Sequence, residues 1–189
     1  MMSSVIEIYN NALYLLGDDG LTSETEISKK AMLCNAFYPG VRDAVLRAHP
    51  WNFAQVRAAL AQLSETPEFG YTYVYQLPTD PYCLRVLEAE DNDEIEYKIE
   101  GRKILTDEGS IKILYVARIE DPNEFDSLFI EAVGARLAMK LAFPITGDKV
   151  LADSMWKLYQ VQIQEAKTID GMEGTPKTYT SNDLIDVRY

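Results

Sequence analysis

His49 is the only histidine in the chain, and a lone imidazole narrows what the sequence can catalyse. A Ser-His-Asp arrangement needs a positioned base with an orienting carboxylate, and zinc hydrolases need several nitrogen, sulfur or carboxylate ligands held together. His49 sits between Ala48 and Pro50, where a helix is about to stop, so its ring is expected to bond a carbonyl at the helix end. Cys34 and Cys83 are the only cysteines. Neither lies in a CxxC or beside a histidine, so they read as small buried hydrophobes and imply neither a disulfide framework nor a metal site. The sequence has no GxxxxGK[ST] or GxGxxG phosphate loop.

Three polar or aromatic clusters remain. Glu88, Glu90, Asp91, Asp93, Glu94 and Glu96 form the densest acidic run. It lacks the glycine and the terminal glutamate of a calcium loop, so it reads as a solvated turn between strands or as a negative surface used in assembly. A carboxylate pair could cut a glycosidic bond, yet 30 acidic residues bring many such pairs together by chance. Tyr71, Tyr73 and Tyr75 alternate on one strand face. They could stack bases, but no basic groove accompanies them, and a sheet face packed on helices is the expected home. Arg42, Asp43 and Arg47 fall on the polar side of a helix, with Asp43 and Arg47 spaced for an intrahelical ion pair; a cross-subunit pair is the functional alternative. No catalytic residue, metal ligand or cofactor is expected, and the chain reads as a non-enzyme.

A net charge of −12 argues against a protein that grips nucleic-acid phosphates. It suits solubility, or an acidic wall past which DNA slides without sticking. With 189 residues and 47% hydrophobic content the chain can bury a sizeable core. It shows neither a secretory leader nor a long apolar run that would cross a membrane, so synthesis in the cytoplasm is expected.

The elements that must position these residues follow from periodicity. Val5, Ile8, Tyr9, Ala12, Leu13 and Leu16 mark a helix, with Ser4 and Glu7 as a capping box and Gly17 as its stop. Ser23 and Glu26 repeat the capping box. The stripe Ile27, Ala31, Cys34, Tyr38, Val41, Val45 then crosses Pro39 in phase, which predicts a kinked helix that Pro50 ends. Trp51 and Phe53 straddle the exit and are expected to clamp the next segment onto that helix. Alternation and turn residues predict strands over 54–60, 71–76, 83–88, 95–99, 103–106 and 111–119. Asp121-Pro122-Asn123 restarts helix, the apolar run from Leu128 to Ala142 marks a central helix, and Pro144 and Gly147 separate it from a last helix that runs out near Gly171. The sequence thus predicts an α+β fold: an antiparallel bundle of about four helices from 1–51 and 120–171, a small antiparallel β subdomain inserted at 52–119, and an extended C-terminal tail at 172–189.

That tail is polar and proline-bearing before Leu184-Ile185-Asp186-Val187-Arg188-Tyr189 turns apolar. A partner-docking segment that orders on binding has this composition. Tyr179, Leu184, Ile185, Val187, Arg188 and Tyr189 are its candidate contacts, and a frayed terminus or a strand folded back on its own chain is the plainer alternative.

The run Arg42-Asp43, Val45-Leu46-Arg47, His49-Pro50-Trp51-Asn52-Phe53-Ala54 and Arg57-Ala58 resembles the signature of the tail tubular protein A family of tailed bacteriophages. Ile8-Tyr9-Asn10-Asn11-Ala12-Leu13, Leu15-Leu16-Gly17 and Tyr75-Gln76-Leu77-Pro78 are similar to that family too, so the likeness spans nearly the whole chain. It implies a structural virion protein that forms a ring, usually dodecameric, beneath the portal. Such a ring joins the portal to a tail nozzle of the tail tubular protein B kind and leaves a channel through which genomic DNA passes without specific binding. Under that resemblance Arg42, Asp43, Arg47, Trp51 and Phe53 serve an inter-subunit contact or the joint between lobes, and the tail inserts at the portal. The competing readings are a virion-associated cell-wall hydrolase and a free assembly or scaffolding factor.

Overall fold

Ser4 opens α1 (Val5–Leu15) with the capping box its spacing predicts: its hydroxyl accepts from the Glu7 amide, and the Glu7 carboxylate accepts from the Ser4 amide. Gly17, at φ +72°, closes it. The Asp18 amide reaches back to the Leu13 carbonyl and the Gly17 amide to that of Tyr14, the paired bonds of a Schellman end. The computed structural model describes residues 4–90 and 95–173.

The second helix, α2 (Lys29–Arg47), starts later than the Ser23-Glu26 pattern predicts. Ser28 is its N-cap, accepting from the Ala31 amide. Ser23 and Glu26 instead close a turn: Ser23 accepts from the Thr25 amide and Glu26 from the Thr22 amide. Ile27, expected at the head of the buried stripe, is fully exposed in consequence. From Ala31 onward the stripe holds, with Cys34, Tyr38, Val41 and Val45 buried, and the helix passes Pro39 without a break.

Trp51 leads through a short 3-10 turn, Asn52–Ala54, into six strands: β1 (Gln55–Ala59), β2 (Tyr73–Gln76), β3 (Cys83–Ala89), β4 (Tyr97–Glu100), β5 (Lys103–Thr106) and β6 (Lys112–Ala117). They pair antiparallel as two three-stranded sheets, β1-β6-β3 and β2-β5-β4. Alternation along β6 shows how the first sheet is shared. Ile113, Tyr115 and Ala117 turn toward the second sheet, while Val116 joins the helical core. Register shifts in β3 let Cys83, Val86 and Ala89 face the sheet interior and Leu84 and Leu87 face the helices. Beyond β1 the chain crosses between sheets: the Leu60 amide bonds Ile111, and Leu63 and Gln76 exchange bonds with Val74 and Ala61. The sheets are therefore stitched along one side.

Two further helices complete the α+β fold. Asp121 caps a 3-10 turn at Pro122–Glu124, and Asp126 caps α3 (Ser127–Thr146). Pro144 does not end α3, as its position suggests; the helix continues to Thr146 and Gly147 stops it at φ +74°. Asp148 caps α4 (Lys149–Met172). The apolar run of α3 makes it central: it packs against α1, α2 and α4, and Phe129, Ala132, Val133, Ala135, Leu137, Ala138 and Leu141 are sealed from solvent. Its small residues let neighbours approach, with Gly134 next to Asn11 of α1. Among the described residues no helix is long and apolar enough to cross a membrane.

Candidate functional site

The run from Arg42 to Ala58 passes the C-terminal end of α2, where helices and sheets join. Trp51 is 0% exposed. Its indole N–H donates to the Val45 carbonyl at 3.0 Å, satisfying the one polar atom that its burial would otherwise strand. Its ring meets Phe129 edge-on at 5.2 Å, and Phe53 meets Phe129 at 5.1 Å and Phe125 at 6.0 Å. Trp51 and Phe53 thus hold the segment leaving α2 against both α2 and α3.

His49 finds a carboxylate where a carbonyl was expected. Its Nε2 lies 2.9 Å from Oδ2 of Asp170, near the end of α4. The other Asp170 oxygen accepts from the Asn52 amide, and the Asn52 side chain donates to the Asp170 carbonyl. His49, Asn52 and Asp170 form a latch between the ends of α2 and α4, so both polar residues of the His-Pro-Trp-Asn-Phe run are engaged in packing.

Arg42 is not on the polar side of α2, as helical phase suggests; it is 7% exposed. Its Nε and Nη2 donate to Oδ1 of Asp43 at 3.0 and 2.9 Å, and Nη2 also reaches Glu120 at 3.2 Å. Arg118, just after β6, donates to Oδ2 of Asp43 at 2.8 Å. The intrahelical Asp43–Arg47 pair is replaced by this bridge, because Arg118 offers Asp43 a partner that also ties α2 to the sheet. Arg47 instead donates to the Leu84 carbonyl, and Arg85 of β3 donates to the Arg47 carbonyl.

Arg118 and Arg85 belong to a cluster that sequence reasoning missed. Tyr82 follows the cis Asp80–Pro81 bond, and its ring lies under two guanidiniums, with Arg102 at 3.9 Å and Arg118 at 4.3 Å from its centroid. Arg102 also donates to the carbonyls of Cys83 and Pro78 at 2.5 and 2.7 Å. Only the register of distant strands brings these arginines together, and no local spacing announces it.

Tyr73 and Tyr75 pack between the sheets and not on the helices as expected. Tyr75 is buried between the two sheets with its hydroxyl on the Glu108 carbonyl, and Tyr73 packs beside it. Burial pushes the Tyr75 phenol up and raises the thiol of Cys34 to about 11. The Tyr38 phenol rises to about 12 for the same reason, against the opposing pull of Arg42. Cys34 and Cys83 are free and buried.

Among the described residues no group of three or more His, Cys, Asp or Glu could hold a metal ion. Asp91, Asp93 and Glu94 of the acidic run, and the tail contacts Tyr179, Leu184, Ile185, Val187, Arg188 and Tyr189, lie outside the described residues. No protein-family model matches the chain, and no curated protein matches it either.

Proposed function

We propose that this chain is a structural virion component, a head-to-tail adaptor whose copies form a ring joining portal to tail nozzle around a channel for DNA. The observation that carries the reading is an apolar surface left open on the helical side. Ile27 and Met32 at the start of α2 are 100% and 68% exposed, Phe143 near the end of α3 is 52% exposed, and Val150 at the start of α4 is 73% exposed. Lys29 donates to the Pro144 carbonyl at 2.7 Å, and the Lys149 ammonium sits 5.6 Å from the Phe143 ring centroid, so these side chains share one end of the bundle. Large apolar side chains gathered at one place favour a protein partner. In a ring, each copy offers that end to its neighbour, and many repeated contacts add up to stability. The resemblance of the α2 exit to the tail tubular A signature supports this choice of assembly.

The test is native mass of the purified protein, alone and mixed with the portal of the same phage, for the full chain and for a truncation after Gly174. Association with the portal in a fixed multiple, lost on truncation, supports adaptor and tail docking together. Failure of the full chain to associate with the portal overturns the adaptor reading.

A further inference from the structure

The first sheet ends at β3 and the second at β4, and neither of these edges pairs with another strand among the described residues. Between them opens a cleft of about 400 Å³ whose walls carry Arg47, Arg85, Arg102 and Arg118 together with Tyr82. Among the described residues its lining contains no aspartate or glutamate, although the chain has 30 acidic residues against 18 basic ones. Four of those cations therefore stand in a single cleft of an otherwise acidic molecule.

Among the described residues not all of that charge is answered. Arg118 is paired with Asp43. Among the described residues, Arg47, Arg85 and Arg102 have no carboxylate within ion-pair distance; their contacts are to the neutral carbonyls of Leu84, Arg47, Cys83 and Pro78. A guanidinium has five N–H donors. Arg47 and Arg85 are exposed and each spends one group on a carbonyl, so both keep further N–H donors for an incoming acceptor. The carbonyl bonds also fix the forks in place, which lowers the ordering cost of binding.

We propose that this cleft docks a carboxylate-rich, extended segment of a partner protein. Guanidinium forks match carboxylates in bidentate geometry. The alternative polyanion, a nucleic acid, fits less well on two grounds. The Tyr82 ring, which a base would stack on, is already covered by Arg102 and Arg118. A long phosphate chain would also run out of the cleft onto a protein of net charge −12, whereas a short acidic segment meets only the arginines. The Ile99 side chain at the β4 rim, 45% exposed, offers an apolar contact beside the charges.

The experiment uses the full-length protein and a fluorescein-labelled hexaglutamate peptide, read by fluorescence anisotropy at low and high salt. Saturable binding that weakens with salt is expected. Arg85→Ala should weaken it about five-fold and the double variant R47A/R85A further, while Arg85→Lys keeps part of the affinity and Arg57→Ala, outside the cleft, leaves it unchanged. Near-ultraviolet circular dichroism checks that each variant is folded. Absence of saturable binding overturns the proposal, as does an equal loss with Arg57→Ala. Tighter binding of a single-stranded hexathymidylate also overturns it, in favour of nucleic acid. None of these outcomes depends on the portal or on ring formation.

Discussion

Trp51 and Tyr82 stand on two sides of the same joint and are closed in different ways. Around Trp51 the contacts are rings and one backbone carbonyl, solvent is excluded, and each polar neighbour has its partner in the latch of His49, Asn52 and Asp170. Around Tyr82 the contacts are guanidiniums, Arg102 held on carbonyls and Arg118 on the Asp43 carboxylate, at the wall of an open cleft. An apolar closure is complete once packed, because its free energy comes from area removed from water. A cationic closure keeps donors and charge to spare. The first side is suited to fixing the lobes and the second to meeting something else.

The sharpest way to break this contrast is to remove each ring. Trp51→Ala should cost roughly 3–5 kcal/mol of stability, read as a shift of the urea midpoint, whereas Tyr82→Ala should cost less than half of that because its site is partly solvated. Equal losses would mean that the two sides do the same job. Asp43→Ala comes next. It leaves the buried Arg42 and the half-buried Arg118 without their shared carboxylate, and about 1–3 kcal/mol is expected, toward the lower figure because Glu120 remains on Arg42 and the Asp43 side chain is 22% open to solvent. Asp43→Asn, which keeps an acceptor, should recover part of the loss in the same titration.

The helical side makes a pH prediction of its own. Burial raises Cys34 to about 11 and Tyr38 to about 12, so the folded chain holds these protons when the unfolded chain has lost them. Their contribution is fully present below the ordinary thiol value of about 9 and is lost as pH rises toward the folded values. Stability measured from pH 8 to 11 should therefore fall, and Cys34→Ala should make the fall shallower. The smallest effect concerns where α2 begins. Ser28→Ala should cost about 1 kcal/mol as loss of an N-cap, and Ser23→Ala only a few tenths, since Ser23 serves an exposed turn. The reverse order in thermal unfolding would restore the earlier helix start.

What was legible in the sequence was local. Ser4, Glu7 and Gly17 act on amides and carbonyls within one turn, so their types and spacing define α1. The alternation of Val56, Ala58 and Leu60 marks a strand because one face is buried against the opposite sheet. Ser23-Glu26 and Ser28 offer competing starts to the same stripe, and the choice was settled by contacts beyond the pattern. Arg42 looked solvated because its partners include Glu120 and, through Asp43, Arg118, both far along the chain. Asp170 meets His49 and Asn52 across a similar distance along the chain, and Tyr82 with Arg102 and Arg118 comes together only through strand register. Charge clusters built by tertiary pairing leave no periodic trace, whereas apolar stripes do.

The pairing of β1 with β6, in register from Gln55 opposite Val116 to Ala59 opposite Lys112, has an evolutionary and an engineering consequence. The chain leaves the helices and returns to them side by side, and β3 packs on the same helices, so the second sheet, β2, β5 and β4, can be lengthened, shortened or exchanged while β1, β3 and β6 hold the helices where they are. The second sheet is in this sense a cassette on a fixed mount. A natural lineage or a designer can vary what it presents without rebuilding the bundle that carries it.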